Sequence, residues 1–150
     1  MSDVYRVFGV ESSPYTLKVR AVLRYRRIPN HWLARFPFMV PETAHVRPRI
    51  MPVVQFPDGT YWTDSTPIVE EIERRHPGPR SILPEDPCAA FLCYLIEDMA
   101  DEWLAKCLFF YRFSHEEDGH FAARWVMSDA KPASTREALE EDVRWFRERQ

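Results

Sequence analysis

Residues 51–67 read MPVVQFPDGTYWTDSTP, and this stretch decides the fold. Val53-Val54-Gln55-Phe56 and Thr60-Tyr61-Trp62-Thr63 carry strand-forming residues on either side of Pro57-Asp58-Gly59. An Asp-Gly pair between two such runs is a hairpin signal, because glycine takes the positive φ that a tight turn demands. Asp64-Ser65-Thr66-Pro67 then opens a helix, with Ile68, Val69 and Ile72 available for a core. The segment therefore predicts two antiparallel strands running directly into a helix.

Working back towards the start, Val4 to Val10 is β-branched and aromatic and reads as a buried strand. Ser12-Ser13-Pro14 starts a helix: serine caps well, and proline suits the first helical position because its missing N–H has no partner there anyway. Leu17, Ala21 and Ile28 recur at helical spacing, and Pro29-Asn30 stops the helix. His31 to Phe36 reads as a second strand, and Pro37, Pro41 and Pro48 suit an irregular, partly helical crossover. Strand, helix, strand, crossover, hairpin, helix implies a layered α/β unit with parallel pairing, and the closing hairpin makes the sheet mixed.

After Ser81–Pro87, which reads as a linker, nothing resembles a strand. Leu92, Ile96, Met99, Trp103, Cys107 and Phe110 mark one face of a long helix, taken as bundle core or subunit interface. Glu102 and Lys106 add an i,i+4 pair. Further helices are expected near Phe121–Met127 and from Ser134, the latter with Leu139, Val143 and Phe146 as its stripe. That helix runs into Arg147-Glu148-Arg149-Gln150 without a stop signal, so the helical part is expected to be cut short or covered by a partner.

The 150 residues hold 20 Lys and Arg against 23 Asp and Glu, a net charge of −3, which argues against nucleic acid as the main partner. No apolar run reaches the ~18 residues of a membrane span, and Met1-Ser2-Asp3-Val4-Tyr5-Arg6 lacks a signal segment, so a cytoplasmic protein without membrane attachment is expected. Cys88, Cys93 and Cys107 fit neither zinc nor disulfide spacing and read as small buried hydrophobes. Lys18, Arg20, Arg24, Arg26 and Arg27 read as a solvated basic face, since no aromatic stacking platform accompanies them. His115-Glu116-Glu117-Asp118-Gly119-His120 reads as a wet loop rather than a metal site.

Three features could carry chemistry: Ser13-Pro14-Tyr15 at a strand-to-helix turn, Pro52 just before a strand, and Asp64-Ser65 at a helix start. Each has a plain alternative: a helix cap for Ser13 and for Asp64-Ser65, core packing for Tyr15, a strand-edge proline for Pro52. Together they resemble the glutathione transferase superfamily. Ser13-Pro14-Tyr15 with Lys18-Val19-Arg20 is similar to the start of that family's first helix. Arg49-Ile50-Met51-Pro52-Val53-Val54 is similar to its segment with a cis proline, and Asp64-Ser65 to the acid–serine pair that opens its third helix.

The resemblance implies a thioredoxin-like domain with a four-stranded mixed sheet over residues 1–83, and a partial all-helical domain over residues 88–150. It implies glutathione as co-substrate, with no metal, in a cleft between the two. Ser13 would donate its hydroxyl to the glutathione sulfur, Met51 beside cis-Pro52 would pair with the cysteinyl backbone, and Asp64 and Ser65 would hold the γ-glutamyl end. Asp98 would reach a partner subunit's γ-glutamyl amine, and Arg47 and Arg49 stand either near the glycyl carboxylate or as surface charge. Pro67 departs from the pattern by removing an N–H from the helix start.

The implied protein is a homodimer that conjugates glutathione to a small electrophile. The alternative is a scaffold of the same fold that binds glutathione and catalyses nothing. Energetically one hydroxyl suffices for the chemistry. Lowering a thiol pKa of ~8.5 by ~2 units needs about 2.7 kcal/mol. A hydrogen bond to a charged group supplies ~1.5–3 kcal/mol, and a helix N-terminus adds ~0.3–1 kcal/mol.

Overall fold

Strand β1 (Tyr5–Gly9) leads through a tight bend into helix α1 (Pro14–Arg26), and strand β2 (Asn30–Ala34) follows. A short 3₁₀ turn (Pro37–Met39) begins the crossover to the hairpin of β3 (Val53–Gln55) and β4 (Tyr61–Thr63), which runs into helix α2 (Ser65–Arg75). The computed structural model describes residues 4–149; the readings of Met1–Asp3 and Gln150 lie outside them. The sheet order is β2-β1-β3-β4, with β1 parallel to β2, β1 antiparallel to β3, and β3 antiparallel to β4. This is the mixed four-stranded sheet expected above, followed by an all-helical region. The chain divides after Glu85 into two compact units.

In the first unit, alternation along β1 sends residues to opposite faces. Tyr5 and Val7 join Val54, Phe56, Val19, Val22, Leu23, Ile68, Val69 and Ile72 in the core beneath α1 and α2. Phe8 and Val53 face the other way, against Val46 of the crossover. The bend from β1 into α1 needs glycine, since a Cβ on Gly9 would lie 2.6 Å from Thr16 Oγ1. The ladder Val53↔Thr63, Val54↔Trp62, Gln55↔Tyr61 confirms the hairpin, with Gly59 at φ 88° in its turn.

Two expectations are corrected in this unit. The buried face of α1 is Thr16, Val19, Val22 and Leu23, whereas Leu17 is 44% exposed and Ala21 is also on the surface. Both stripes satisfy helical periodicity, and the direction in which α1 leaves β1 selects between them. The basic run is not simply a solvated face. The Arg26 side chain is buried and pairs with Glu73 at 3.2 Å. Arg20 pairs with Glu11 at 2.7 Å and lies over the Trp32 ring, and Lys18 Nζ donates to Thr66 Oγ1 at 3.0 Å. Only Arg24 and Arg27 match the surface reading.

The second unit holds α3 (Pro87–Asp98), a π-helical segment (Met99–Leu104), α4 (Ala105–Phe113), α5 (Glu116–Ala130) and α6 (Arg136–Arg147). Its packing centres on small residues of α5, with Ala122, Ala123, Val126 and Met127 buried, together with Val143 of α6 and Ala105 of α4. Phe113 and Phe146 add an aromatic contact at 6.1 Å. The expected long-helix stripe is not core here: Leu92, Ile96, Met99, Trp103 and Phe110 are all exposed, Trp103 at 67%. The exposure begins ahead of the π-helical segment, since α3 buries none of its residues.

Lys106 lies over the Trp103 ring at 4.9 Å. Cys88, Cys93 and Cys107 are exposed, not buried as their residue type suggests. Residues 116–120 begin α5 instead of forming a loop, with Glu116, Glu117 and Asp118 in its first turn, where acids favour the positive helix end. No helix among the described residues is long and apolar enough to cross a membrane.

Candidate functional site

The ladder register determines which chain ends meet. Phe8 pairs with Val53, so the carboxyl end of β1 lies beside the amino end of β3. Val53 pairs in turn with Thr63, which puts the carboxyl end of β4 at the same edge. Ser13 follows β1, Met51 and Pro52 precede β3, and Asp64 and Ser65 follow β4. All five therefore gather at one end of the sheet. Both α1 and α2 begin there, so two positive helix ends share that edge, the arrangement that suits an anionic ligand.

Ser13 sits at the cap of α1 with extended backbone, and its Oγ accepts from the Thr16 N–H at 3.3 Å. The residue is only 8% exposed. A hydroxyl oxygen that accepts a backbone bond retains its own proton for donation, which is the property thiolate stabilisation requires. Pro14 occupies the first helical position and Tyr15 is half-buried.

Asp64 caps α2, accepting from Thr66 N at 3.3 Å, with its backbone at φ 75°, ψ 126°. Its side chain is exposed, while Ser65 is buried at the first turn. The Met51–Pro52 peptide is cis, as is Arg47–Pro48. Pro52 is buried and Met51 half-buried. Arg47 folds back on its own loop, donating to Ala44 O at 2.7 Å and Val46 O at 2.8 Å, and Arg49 lies exposed. Asp98, the last residue of α3, is an exposed residue of the second unit.

Side chains the motif reading passed over hold this edge together. Thr63 Oγ1 lies 3.2 Å from Ile50 O and 3.3 Å from Pro52 O. Lys18 fastens α1 to the first turn of α2 through Thr66. Glu42 anchors the crossover by accepting from Arg6 and, at 2.9 Å, from Tyr61 Oη, and the Arg6 bond holds its carboxyl below the usual range. Thr43, also of the crossover, is buried and donates to Pro37 O. A hydroxyl at the last position of a strand, directly before a helix cap, was the available signal for Thr63; nothing local marked Glu42. Among the described residues no group of three or more His, Cys, Asp or Glu is arranged to hold a metal ion.

Comparison with known proteins follows the same lines. The sequence profile described as "Glutathione S-transferase, N-terminal domain" matches residues 7–80. No curated protein matches the chain in sequence. Among solved structures, the fold is similar to a glutathione transferase homolog from Sulfitobacter with bound glutathione, at 13% identity and TM-score 0.62, covering 95% of this chain and 63% of that one. It is similar to a glutathione S-transferase from Methylobacterium radiotolerans in complex with glutathione sulfonate, at 20% identity and TM-score 0.61, covering 97% and 89%. A Tau class enzyme from mango, Mangifera indica, gives 22% identity and TM-score 0.61, covering 85% and 60%. The chain thus spans less than two thirds of the Sulfitobacter and mango proteins.

Proposed function

Since this chain belongs, through residues 7–80, to the glutathione S-transferase superfamily, we propose that it binds glutathione at the sheet edge formed by Ser13, Met51, Pro52, Asp64 and Ser65. On this reading the Ser13 hydroxyl donates to the glutathione sulfur and holds it as thiolate. The Met51 backbone pairs with the cysteinyl part of the tripeptide, and Asp64 and Ser65 receive the γ-glutamyl end. The thiolate then attacks a small electrophile: a carbon–sulfur bond forms, the bond to the leaving group breaks (carbon–chlorine in a chloro-nitro arene, chloride leaving with the electron pair), and the thiol proton has already passed to solvent. Residues 1–83 act as the glutathione-binding domain and residues 88–150 as the helical domain of a cytoplasmic homodimer.

The observation that carries the reading is the convergence of two helix starts and the Met51–Pro52 segment on one sheet edge. It is supported by the glutathione bound to the Sulfitobacter relative. One observation favours the second reading, a scaffold that binds glutathione without catalysis: Ser13 is nearly buried and its oxygen already serves α1.

A single pair of measurements separates the two. Calorimetry with glutathione reports binding, and conjugation to an aromatic chloro-nitro electrophile reports catalysis, each for wild type and Ser13→Ala. The enzyme reading expects a wild-type rate above background and a loss of about 10- to 100-fold in kcat/KM for Ser13→Ala, the worth of one hydrogen bond to a charged sulfur. Binding without any rate establishes the scaffold, and no binding removes both.

A further inference from the structure

We infer that Thr63 is a positioning residue that joins the two halves of the glutathione site. Cross-strand partners share a face of a sheet. Thr63 is paired with Val53, and so stands on the side towards the crossover. From there its single hydroxyl reaches the carbonyls of Ile50 at 3.2 Å and Pro52 at 3.3 Å. Those carbonyls flank Met51, whose backbone is the proposed partner of the cysteinyl unit. The next residue along the chain is Asp64, which with Ser65 begins α2 and takes the γ-glutamyl end. One side chain therefore ties the segment that receives the middle of the tripeptide to the segment that receives its end.

The physical consequence concerns preorganisation. Met51 precedes β3 and is held by the strand ladder on one side only, because the register begins at Val53. Without the hydroxyl, residues 50–52 sample positions that a bound tripeptide must then select, and the cost of ordering them falls on binding. Ile50 is itself 42% exposed, so water replaces the lost bond to its carbonyl and the fold is little affected. The effect is thus expected in ground-state affinity for glutathione, not in the chemistry at the sulfur, which Ser13 serves.

This role rests on the proposed glutathione site, and the test separates the two. Glutathione affinity is measured by calorimetry, and KM and kcat by conjugation, for wild type, Thr63→Val, Thr63→Ala and Thr63→Ser. Valine keeps the shape and strand preference of threonine, alanine is a second deletion of the hydroxyl, and serine restores it. Thr63→Val and Thr63→Ala should bind glutathione about five- to tenfold more weakly, up to ~1.4 kcal/mol. Their kcat at saturating glutathione should stay within about twofold of wild type and their melting temperatures within a few degrees. Thr63→Ser should return the affinity to within about twofold. Wild-type affinity in Thr63→Val and Thr63→Ala, or Thr63→Ser as weak as Thr63→Val, overturns the role of Thr63 alone. Absence of glutathione binding by the wild type overturns the site and this role together.

Discussion

Asp64 shows how much the backbone asks of one residue. Its φ of 75° lies in the left-handed half of conformational space, where a Cβ crowds the chain and only glycine moves freely. Its carboxylate offsets that by accepting the Thr66 N–H at the start of α2. Removing the side chain beyond Cβ keeps the strain and discards the bond. Asp64→Ala should therefore lose about 0.5–2 kcal/mol of stability, the worth of the cap alone, because the strain is common to wild type and variant. Asp64→Gly discards the bond but relieves the strain, and should lie about 1 kcal/mol above Asp64→Ala in urea denaturation. Equal stability of the two variants would show that Asp64 acts as a cap alone. Ser13 caps α1 from an ordinary extended backbone, so its own geometry carries no such strain.

At the scale of elements, α1 and α2 are locked by a buried charge pair at the end remote from the candidate site. Arg26 at the end of α1 and Glu73 near the end of α2 are 4% and 6% exposed in their side chains, 3.2 Å apart. Glu73 Oε2 also accepts from Ser81 Oγ at 2.7 Å and Ile82 N at 3.3 Å, so the loop after α2 is held by the same carboxylate. Arg26 donates further to the His76 carbonyl. Deleting one partner strands the other without a counter-charge in a dry environment. Glu73→Ala should cost about 3–5 kcal/mol, whereas the double change Arg26→Met with Glu73→Leu should cost clearly less, because no charge is left buried. A chemical-denaturation double-mutant cycle reads both, and a small loss in Glu73→Ala would show the pair to be hydrated.

For the whole molecule, the charged groups set an acid limit on stability. The Thr60 hydroxyl and amide, with Arg75, hold Asp58 at about 2, and Arg74 and Arg75 hold Glu71 at about 2. Burial, with Arg26 and Arg75 nearby, lowers His76, whose Nε2 lies 2.9 Å from the buried Tyr5 hydroxyl. All three groups are more acidic folded than unfolded. Each contributes stability that is complete above its unfolded value and is lost as pH falls towards the folded one.

Between about pH 7.5 and 9 the urea midpoint should therefore be level; it should decline below that as His76 takes up a proton preferentially in the unfolded chain, and decline again from about pH 4.5 towards 2. Asp58→Asn should flatten part of the second step. A midpoint unchanged between pH 7 and pH 3 would contradict these assignments.

Local chemistry in the sequence determined the hairpin around Asp58-Gly59, the helix starts at Pro14 and Ser65, the mixed character of the sheet, and the helical character after Pro87. Each depends on turn geometry, capping or periodicity, which act over a few residues. The candidate residues Ser13, Met51, Pro52, Asp64 and Ser65 were legible for the same reason, since they stand at element ends that punctuation residues announce. Tertiary structure alone decided what depends on direction. It chose the Thr16–Leu23 face of α1 over Leu17 and Ala21, because a helix with two apolar stripes buries the one that its exit from β1 points inward. It turned Lys18, Arg20 and Arg26 from surface charges into ties, because their partners lie far along the chain. It left the three cysteines and most of the Leu92–Phe110 stripe exposed, because periodicity marks an apolar face but does not supply the element that packs on it.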